Sequence, residues 1–229
     1  MKELIRHTNV FEIGVDEAGR GCLAGPVVAA SFMPGPAFVP PKGLNDSKKM
    51  TEKAREYCYE YAVEHYGDRI GVGMTHHDVI DRINILRATM GAMNNAVVSN
   101  PTFKRQYATR WQVTVAHNIL LLIDGNRFER MVAPVTDEDL VSVETVIKGD
   151  SIYQSIAMAS VIAKVTRDRH IVELAKLPAY EMYGWDKNKG YGTSEHVAAI
   201  IKYGRSDLHR KTFRVPGYPD NAQQIARYS

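Results

Sequence analysis

Two adjacent carboxylates, Asp16 and Glu17, follow a β-branched, apolar run and precede glycines at positions 19 and 21. Such an acidic pair can hold a divalent cation, and glycines, which lack a Cβ, let a polymeric ligand approach the backbone closely. A solvated surface turn is the alternative for a lone acidic pair. The apolar residues 26–32 favour a built site, because they place the acids between two predicted core strands. Since successive strand residues point to opposite faces, we expect this strand to end, bend or bulge near Glu17.

Two further aspartates follow strand-like runs. Asp124 comes directly after the apolar residues 118–123, so it is either the start of a turn or a ligand at the working edge of a sheet. The acidic pair upstream favours a ligand. Asp150 precedes a long helical pattern, where aspartate commonly caps the helix N-terminus. From residue type alone, a cap is the simpler interpretation of Asp150.

The elements that must position these acids alternate between strands and helices, which indicates an α/β layer structure. Residues 100–116 carry basic side chains and Trp111 and could contact nucleic acid, but an inserted, solvated loop is the simpler prediction. The first strand leads into Asp16; further strands are predicted over 26–32, 69–75, 118–123 and 141–147, and helices over 51–65, 78–98 (one helix or two), 151–176 and 194–203.

Cationic and aromatic side chains are spread over several of these segments. Lys48 and Lys49 precede the first helix, and Ser160, Lys164 and Arg167 share one face of a later helix, a face that could meet phosphates. A solvated surface is the usual alternative for short charge runs. Residues 183–192 interleave aromatic and cationic groups, which can stack on sugars or bases or else pack on the protein's own core.

Composition narrows the class of protein. A net charge of +3 with 45% hydrophobic and 24% charged residues is typical of a globular protein and compatible with a nucleic-acid partner. Two cysteines without metal-ligand spacing give no sign of a zinc site and favour a reducing compartment. No segment is predicted to be a signal peptide or a membrane span, so we expect a cytoplasmic protein without a membrane partner.

The run from Asp16 to Gly21 (DEAGRG) resembles the signature of ribonuclease HII, the type 2 ribonuclease H family. This resemblance implies a ribonuclease H-like mixed β-sheet flanked by helices. It also implies a catalytic domain over residues 1–178 and a small C-terminal helical extension over 179–229, with a soft boundary that allows them to count as one domain. Further matches occur in the family's order at 44–49 (LNDSKK), 84–90 (NILRATM), 123–127 (IDGNR), 148–150 (KGD), 160–169 and 189–191.

The same resemblance implies a reaction. Four acids would converge on two divalent cations, because massed carboxylates repel one another unless cations neutralise them, and oxygen ligands favour Mg²⁺ or Mn²⁺. The protein would be an endonuclease that cuts the RNA strand of RNA/DNA hybrids and nicks 5′ of single ribonucleotides in duplex DNA, leaving a 3′-hydroxyl and a 5′-phosphate. We expect it to act as a monomer. The four acids are Asp16, Glu17, Asp124 and Asp150.

Family likeness also implies which residues bind the substrate. The backbone around Gly19, Arg20 and Gly21 would detect the 2′-hydroxyl, and Tyr191 would pack on the neighbouring sugar. Two departures from the family pattern, Asn188 and Thr212, put fine substrate preference in doubt. Phosphate contacts are expected from Lys48, Ser160, Lys164, Arg167 and Arg210, whereas His209 is expected to be structural.

Two other functions fit parts of this pattern. A DNA-directed nuclease of the same fold would use the same acids without reading the 2′-hydroxyl. A catalytically silent nucleic-acid-binding module would keep the basic face and lose turnover. Substrate discrimination separates the first of these from a ribonuclease, and substitution of the acids separates the second.

Overall fold

A computed structural model of the protein describes residues 10–109, 118–132, 135–136 and 140–219. The sheet contains β1 (Val10–Ala18), β2 (Val27–Phe32), β3 (Ile70–Thr75), β4 (Asn118–Asp124) and β5 (Val141–Val146). The helices are α1 (Glu52–Tyr66), α2 (His77–Ile83), α3 (Ile85–Ser99), α4 (Pro101–Thr109), α5 (Gln154–Ala175), α6 (Trp185–Asn188) and α7 (Ser194–Tyr203), with short 3₁₀ turns at Ser47–Lys49, Gly67–Arg69, Gly149–Ser151 and Glu181–Tyr183.

The five strands form one mixed sheet in the order β3-β2-β1-β4-β5. β1 is central: it runs antiparallel to β2 and parallel to β4, and the parallel ladder ends at the pair Val15↔Ile123. The antiparallel ladder continues to Ala18↔Val28. The carboxyl ends of β1 and β4 therefore lie side by side at one end of the sheet. The mixed sheet that the family resemblance implied is confirmed.

Helices α5 and α3 cover opposite faces of this sheet, and glycines set how closely they approach. A Cβ on Gly14 of β1 would lie 2.2 Å from the carbonyl carbon of Ser155, so only glycine allows α5 to sit at that distance. On the other face, a Cβ on Gly73 would lie 2.1 Å from the Ala92 carbonyl oxygen of α3. Close packing on both faces fixes the acids of β1 between two helices.

The predicted helix over 78–98 is two helices, separated at Asn84. This residue has a positive φ of 66°, and its Oδ1 accepts the Arg87 N–H at 3.1 Å, which starts α3 with a side-chain cap. The asparagine thereby combines a turn with a helix start.

The prediction of a loop over 100–116 was wrong where the structure describes it. Asn100 Oδ1 accepts the backbone N–H groups of Thr102 and Phe103 and begins α4, and the Phe103 ring is fully buried. Proline at the first helical position, as Pro101 is here, was the signal that favoured a helix. Trp111 lies outside the described residues.

The C-terminal part packs directly on the segment after β1. Leu23 N–H donates to the Gly190 carbonyl at 2.8 Å, and the Leu23 carbonyl accepts from Arg210 N–H at 2.8 Å. Leu23 and Ala24 share a buried apolar cluster with Trp185. The proposed boundary near residue 178 stays a prediction, although these contacts tie both sides of it together.

Across the part of the chain that is described, none of the helices combines the length and the apolar character that crossing a membrane requires.

Candidate active site

The structure brings the four predicted acids to one edge of the sheet. Asp16 and Glu17 lie near the end of β1, and Asp124 is the last residue of the parallel neighbour β4. Asp150 lies in the 3₁₀ turn Gly149–Ser151, and the adjacent Gly149 N–H donates to Asp124 Oδ1 at 2.7 Å. The negative charge of Asp124 contributes to raising the pKa of each of the other three carboxyl groups.

Like Asp150, Asp16 is buried, with 5% of its surface exposed. Burial raises its pKa well above the usual range, and the charges of Glu17 and Asp124 raise it further. Burial also raises the pKa of Glu17, while the Arg20 guanidinium, 3.2 Å from its carboxylate, opposes that rise. β1 ends at Ala18, one residue after Glu17, which confirms the expectation that the strand ends, bends or bulges near Glu17.

Asp150 is not the cap of the helix that follows it, because α5 begins after Tyr153. Burial raises the pKa of Asp150 to about 6, with contributions from the charges of Asp124 and Asp46 and from a hydrogen bond to Asp46. Partial burial would raise the pKa of Asp46, but the Lys48 N–H, Asp150 and Lys49 lower it. When this pair of carboxyl groups binds a proton, the proton therefore resides mainly on Asp150.

Asp46 is a site residue that sequence reasoning missed. It stands inside the LNDSKK segment, from which only Lys48 was selected. Asp46 directly precedes Ser47, and the Ser47 hydroxyl lies 2.8 Å from that of Ser160 on α5. This contact, which brings Asp46 to the acids, exists only in the folded chain and could not be predicted from the sequence. Asp46 therefore extends the acid cluster to five.

The donor set fits hard divalent cations. Every candidate ligand is a carboxylate oxygen, the type that Mg²⁺ and Mn²⁺ prefer. Burial, and after it the charge of neighbouring carboxylates, raises the pKa values of Asp16 and Asp150, and a bound cation would oppose both effects. Within the described ranges, no three acidic, histidine or cysteine side chains are already arranged as a metal-binding cluster.

A cleft of about 300 Å³ opens beside Glu17 on the α5 side of the sheet. Its rim is made by the glycine-rich backbone after β1, by the 3₁₀ turn before α1 and by one face of α5. The glycine backbone meets lysine and tyrosine side chains from distant parts of the chain there. The lining residues are Glu17, Ala18, Gly19, Arg20, Gly21, Ser47, Lys48, Ser160, Lys164 and Tyr191.

The turn that carries Lys48 is held from two sides. Asp46 Oδ1 accepts the Lys48 N–H at 2.9 Å, and Arg55 of α1 donates to the carbonyls of Ser47 and Met50 at 2.9 and 2.6 Å. Lys48 is thereby presented to the cleft on a fixed backbone. Ser160 is buried and its hydroxyl is bonded to that of Ser47, so it braces this turn against α5; its contact with a phosphate stays a prediction.

Lys164 and Tyr191 form the far wall of the cleft. Lys164 Nζ donates to Asp168, four residues further along the same helix, at 2.9 Å and lies 4.9 Å from the centre of the Tyr191 ring. Burial raises the pKa of Tyr191 to about 12, so its hydroxyl keeps its proton at neutral pH. A neutral aromatic face with a cation beside it is suited to a sugar–phosphate unit.

Arg167 and Arg210 correct the expectation of direct phosphate contact. Both are fully buried. Arg167 donates to the carbonyls of Pro26, Lys189 and Ala24 at 2.9, 2.8 and 3.1 Å. Arg210 donates to the carbonyls of Gly25, Arg20 and Gly19 at 3.0, 2.7 and 2.7 Å. Their guanidinium groups thus shape the glycine-rich loop from beneath.

Comparison with known proteins agrees with this architecture. The family profile described as Ribonuclease HII matches residues 13–215. Ribonuclease HII of Chlorobium luteolum is 46% identical over 206 residues, 88% of each chain. Ribonuclease HII of Rickettsia akari is 41% identical over 210 residues, 91% of this chain and 94% of the relative. The chain belongs to the ribonuclease HII family.

Membership in the ribonuclease HII family makes the protein a metal-dependent ribonuclease H. Solved structures show the same fold. Ribonuclease H2 from Pyrococcus horikoshii OT3 superposes with a TM-score of 0.58 at 24% identity, covering 95% of this chain and 98% of that one. The ribonuclease HII in a PCNA:RNase HII complex from Archaeoglobus fulgidus gives 0.58 at 23% identity, covering 92% and 98%.

Within this ribonuclease HII fold, a buried histidine pair supports the Tyr191 backbone. His196 Nδ1 lies 2.8 Å from the Tyr191 carbonyl, so it carries the hydrogen, and its Nε2 accepts from Trp185 at 2.9 Å. His209 Nε2, 3.1 Å away, must then donate to that same His196 nitrogen, while His209 Nδ1 accepts the Ser206 N–H. Both rings are neutral with one fixed tautomer, and burial lowers the pKa of His209 to about 3.

The two departures from the ribonuclease HII pattern have structural roles. Asn188 donates to the Tyr183 carbonyl at 2.7 Å and accepts the Gly190 N–H at 2.8 Å, which folds the turn before Tyr191. Thr212 Oγ1 donates to the buried Asp81 at 2.6 Å. A serine hydroxyl at 212 would make the same bond.

Proposed function

We propose that the protein hydrolyses the RNA strand of RNA/DNA hybrids and nicks 5′ of single ribonucleotides in duplex DNA, leaving a 3′-hydroxyl and a 5′-phosphate. The observation that carries this proposal is the cleft beside Glu17. There a glycine backbone, two lysines and the Tyr191 ring surround the approach to the acids. In this one cleft, the glycine backbone can contact the ribose, the lysines can contact phosphates, and the acids can support hydrolysis.

The backbone at Gly21 is the best placed to meet a 2′-hydroxyl. Gly21 is exposed, and a Cβ there would meet nothing within 4 Å, so its glycine is not required by the protein's own packing. Gly19 differs, because its φ is +93° and a Cβ would clash with Arg167. An open glycine in a substrate cleft is explained by close approach of the ligand.

The acids would hold two divalent ions, Mg²⁺ or Mn²⁺, through Asp16, Glu17, Asp124 and Asp150. When bound, the ions supply an activated water and stabilise the departing 3′ oxygen. Lys48 and Lys164 hold the phosphates on either side of the ribose, and Tyr191 packs against the sugar. Arg210 and Arg167 fix the loop carbonyls so that the Gly21 backbone keeps its position when substrate enters.

A pair of substrates tests the proposal. We expect duplex DNA with one ribonucleotide to be nicked on that nucleotide's 5′ side in Mg²⁺ or Mn²⁺, while the same duplex made only of DNA stays intact. Gel mapping of the product ends gives the position and chemistry of the cut. Equal cleavage of both duplexes would identify a DNA-directed nuclease instead.

Three variants make the test specific. Asp16→Asn and Asp124→Asn should lower kcat by at least about 10³-fold and leave hybrid binding within about threefold, because they remove ligand charge and not phosphate contacts. Gly21→Ala should fold normally and lose cleavage at the single ribonucleotide. Turnover that survives both Asn substitutions would refute the acid assignment.

A further inference from the structure

A second cavity lies on the α3 side of the acids. This arginine groove has a volume of about 620 Å³ and lies between the first turns of α3 and the segment after β4. Arg87 and Asn84 form one wall, and Arg127 and Asn126 form the other. The two walls come from segments 84–90 and 123–127, both of which match the family pattern. Of these residues, only Asp124 has a role in the site described above.

The arginine groove connects to the acids. A narrow passage of about 40 Å³ is lined by Glu17, Arg20 and Asp124, and it shares Asn126 and Arg127 with the groove. Glu17 also lines the cleft that holds Tyr191. The acids therefore stand between two openings, one on each face of the sheet.

The charge in the arginine groove suits a polyanion. Arg87 and Arg127 are exposed, and neither has a carboxylate partner among the residues that the structure describes. One acid, Glu129, also lines the groove, so two guanidinium groups face a single carboxylate. Guanidinium groups bind phosphate in a bidentate geometry, and asparagine amides beside them can donate to phosphate oxygens.

The walls of the groove are preformed. Asn94 of α3 is fully buried, and it donates to the Glu129 carbonyl at 2.8 Å while accepting the Met131 N–H at 3.0 Å. These bonds fasten the segment after β4 to α3. A site whose two walls are tied together binds with little ordering cost.

We propose that the arginine groove binds the phosphodiester backbone of the substrate beyond the cleaved nucleotide, with Arg87 and Arg127 as its phosphate contacts. The proposal rests on the proposed function for the identity of the substrate. The backbone comes either from the continuation of the cleaved strand or from the complementary strand.

Salt-dependent binding tests the groove. With a 20-base-pair RNA/DNA hybrid and a chelator present to prevent cleavage, Arg87→Ala and Arg127→Ala should each reduce the slope of log Kd against log salt by about 0.9, and the double variant by about twice that. Glu129→Gln should tighten binding at low salt. When cleavage of the hybrid is measured in Mn²⁺ over a range of hybrid concentrations, kcat of the arginine variants should stay within twofold of that of the unaltered protein, while KM rises.

Arg105→Ala is the matched control. Arg105 is an exposed arginine of α4 that pairs with Asp68, just before the start of β3 and so at the opposite end of the sheet from the acids. Its removal should leave the slope unchanged. A slope that does not change in the groove variants, or one that changes equally in Arg105→Ala, would overturn the proposal, provided that melting temperatures match that of the unaltered protein.

Single-stranded and duplex probes separate the two sources of phosphate. If the slope falls for the RNA-containing strand alone as well as for the hybrid, the groove holds the cleaved strand; if it falls only for the hybrid, the groove holds the complement. Binding needs no turnover, so failure to nick at an embedded ribonucleotide would reject the proposed function and leave the groove test readable.

Discussion

Arg167 and Arg210 show at the residue scale how burial separates two uses of a guanidinium. Helical spacing placed Arg167 beside Lys164, so the sequence predicted that both meet phosphate. In the fold Lys164 faces the cleft, whereas Arg167 is fully buried against three backbone carbonyls. The partners of Arg167 are distant in sequence, and no local pattern could reveal them.

Replacement of Arg167 by lysine tests this assignment. Arg167→Lys keeps the charge but loses the planar fork that serves three carbonyls, so we expect about 2–4 kcal/mol of lost unfolding free energy in a denaturant titration. The salt slope of hybrid binding should stay the same. Lys48→Ala provides the contrast, with a slope reduced by about 0.9 and unchanged stability. A reduced slope in Arg167→Lys would restore it as a phosphate contact.

The proximity of Asp16, Glu17 and Asp124 was predictable from sequence because each lies at or near the end of an apolar strand. The ends of parallel neighbours meet at one edge, so the strand pattern carries their proximity. Asp150 depended on family likeness, since its residue type alone favoured a helix cap. Asp46 was missed because its partnership with Asp150 exists only after the first turn docks on α5.

At the scale of elements, short C-terminal helices and turns act as a support for Tyr191. The histidine pair joins α7 to the segment after it, and both hold the turn that presents the tyrosine. Sequence patterning predicted α7 over 194–203 correctly, and in the structure Thr193 caps its start. It could not give the tautomers, which depend on acceptors fixed by tertiary contacts.

The neutral state of His209 predicts acid sensitivity. Its folded pKa of about 3 lies below the usual value near 6.5, so the unfolded chain binds more protons between those limits. Its contribution to stability is complete above about pH 6.5 and declines as the pH falls toward 3. Between pH 4 and 6, the unfolding free energy should fall by about 1 kcal/mol per pH unit more steeply than in His209→Gln.

Denaturant titrations at several pH values measure this difference. Comparison of the two proteins removes the opposite effect of Asp16 and Asp150, whose raised pKa values favour the folded state on acidification. Equal slopes for both proteins would mean that His209 does not stay neutral in the fold.

At the scale of the whole molecule, the sheet and the C-terminal part are joined by apolar packing and by hydrogen bonds. Leu23 and Ala24, which follow β1, pack in one buried apolar cluster with residues of α5, α6 and α7, namely Ile171, Trp185 and Ile200. The carboxylate of Asp81 in α2 accepts the backbone N–H groups of Lys211 and Thr212 at 2.8 and 3.0 Å. We therefore expect a single unfolding transition, with fluorescence of Trp185 and far-ultraviolet circular dichroism giving the same midpoint. Two separated midpoints would support independent domains divided near residue 178.

The bond from Arg210 to the Gly19 carbonyl spans 191 positions along the chain. A ribosome makes the acidic pair among its first products and the guanidinium that fastens the neighbouring loop almost at the end. A nascent polypeptide halted between Asp124 and that arginine carries Asp16, Glu17 and Asp124 without the guanidinium that fastens the glycine-rich loop. Premature termination between residues 124 and 210 therefore yields a product that has these three acids but lacks the guanidinium that holds the carbonyls of Gly19 and Arg20 in place.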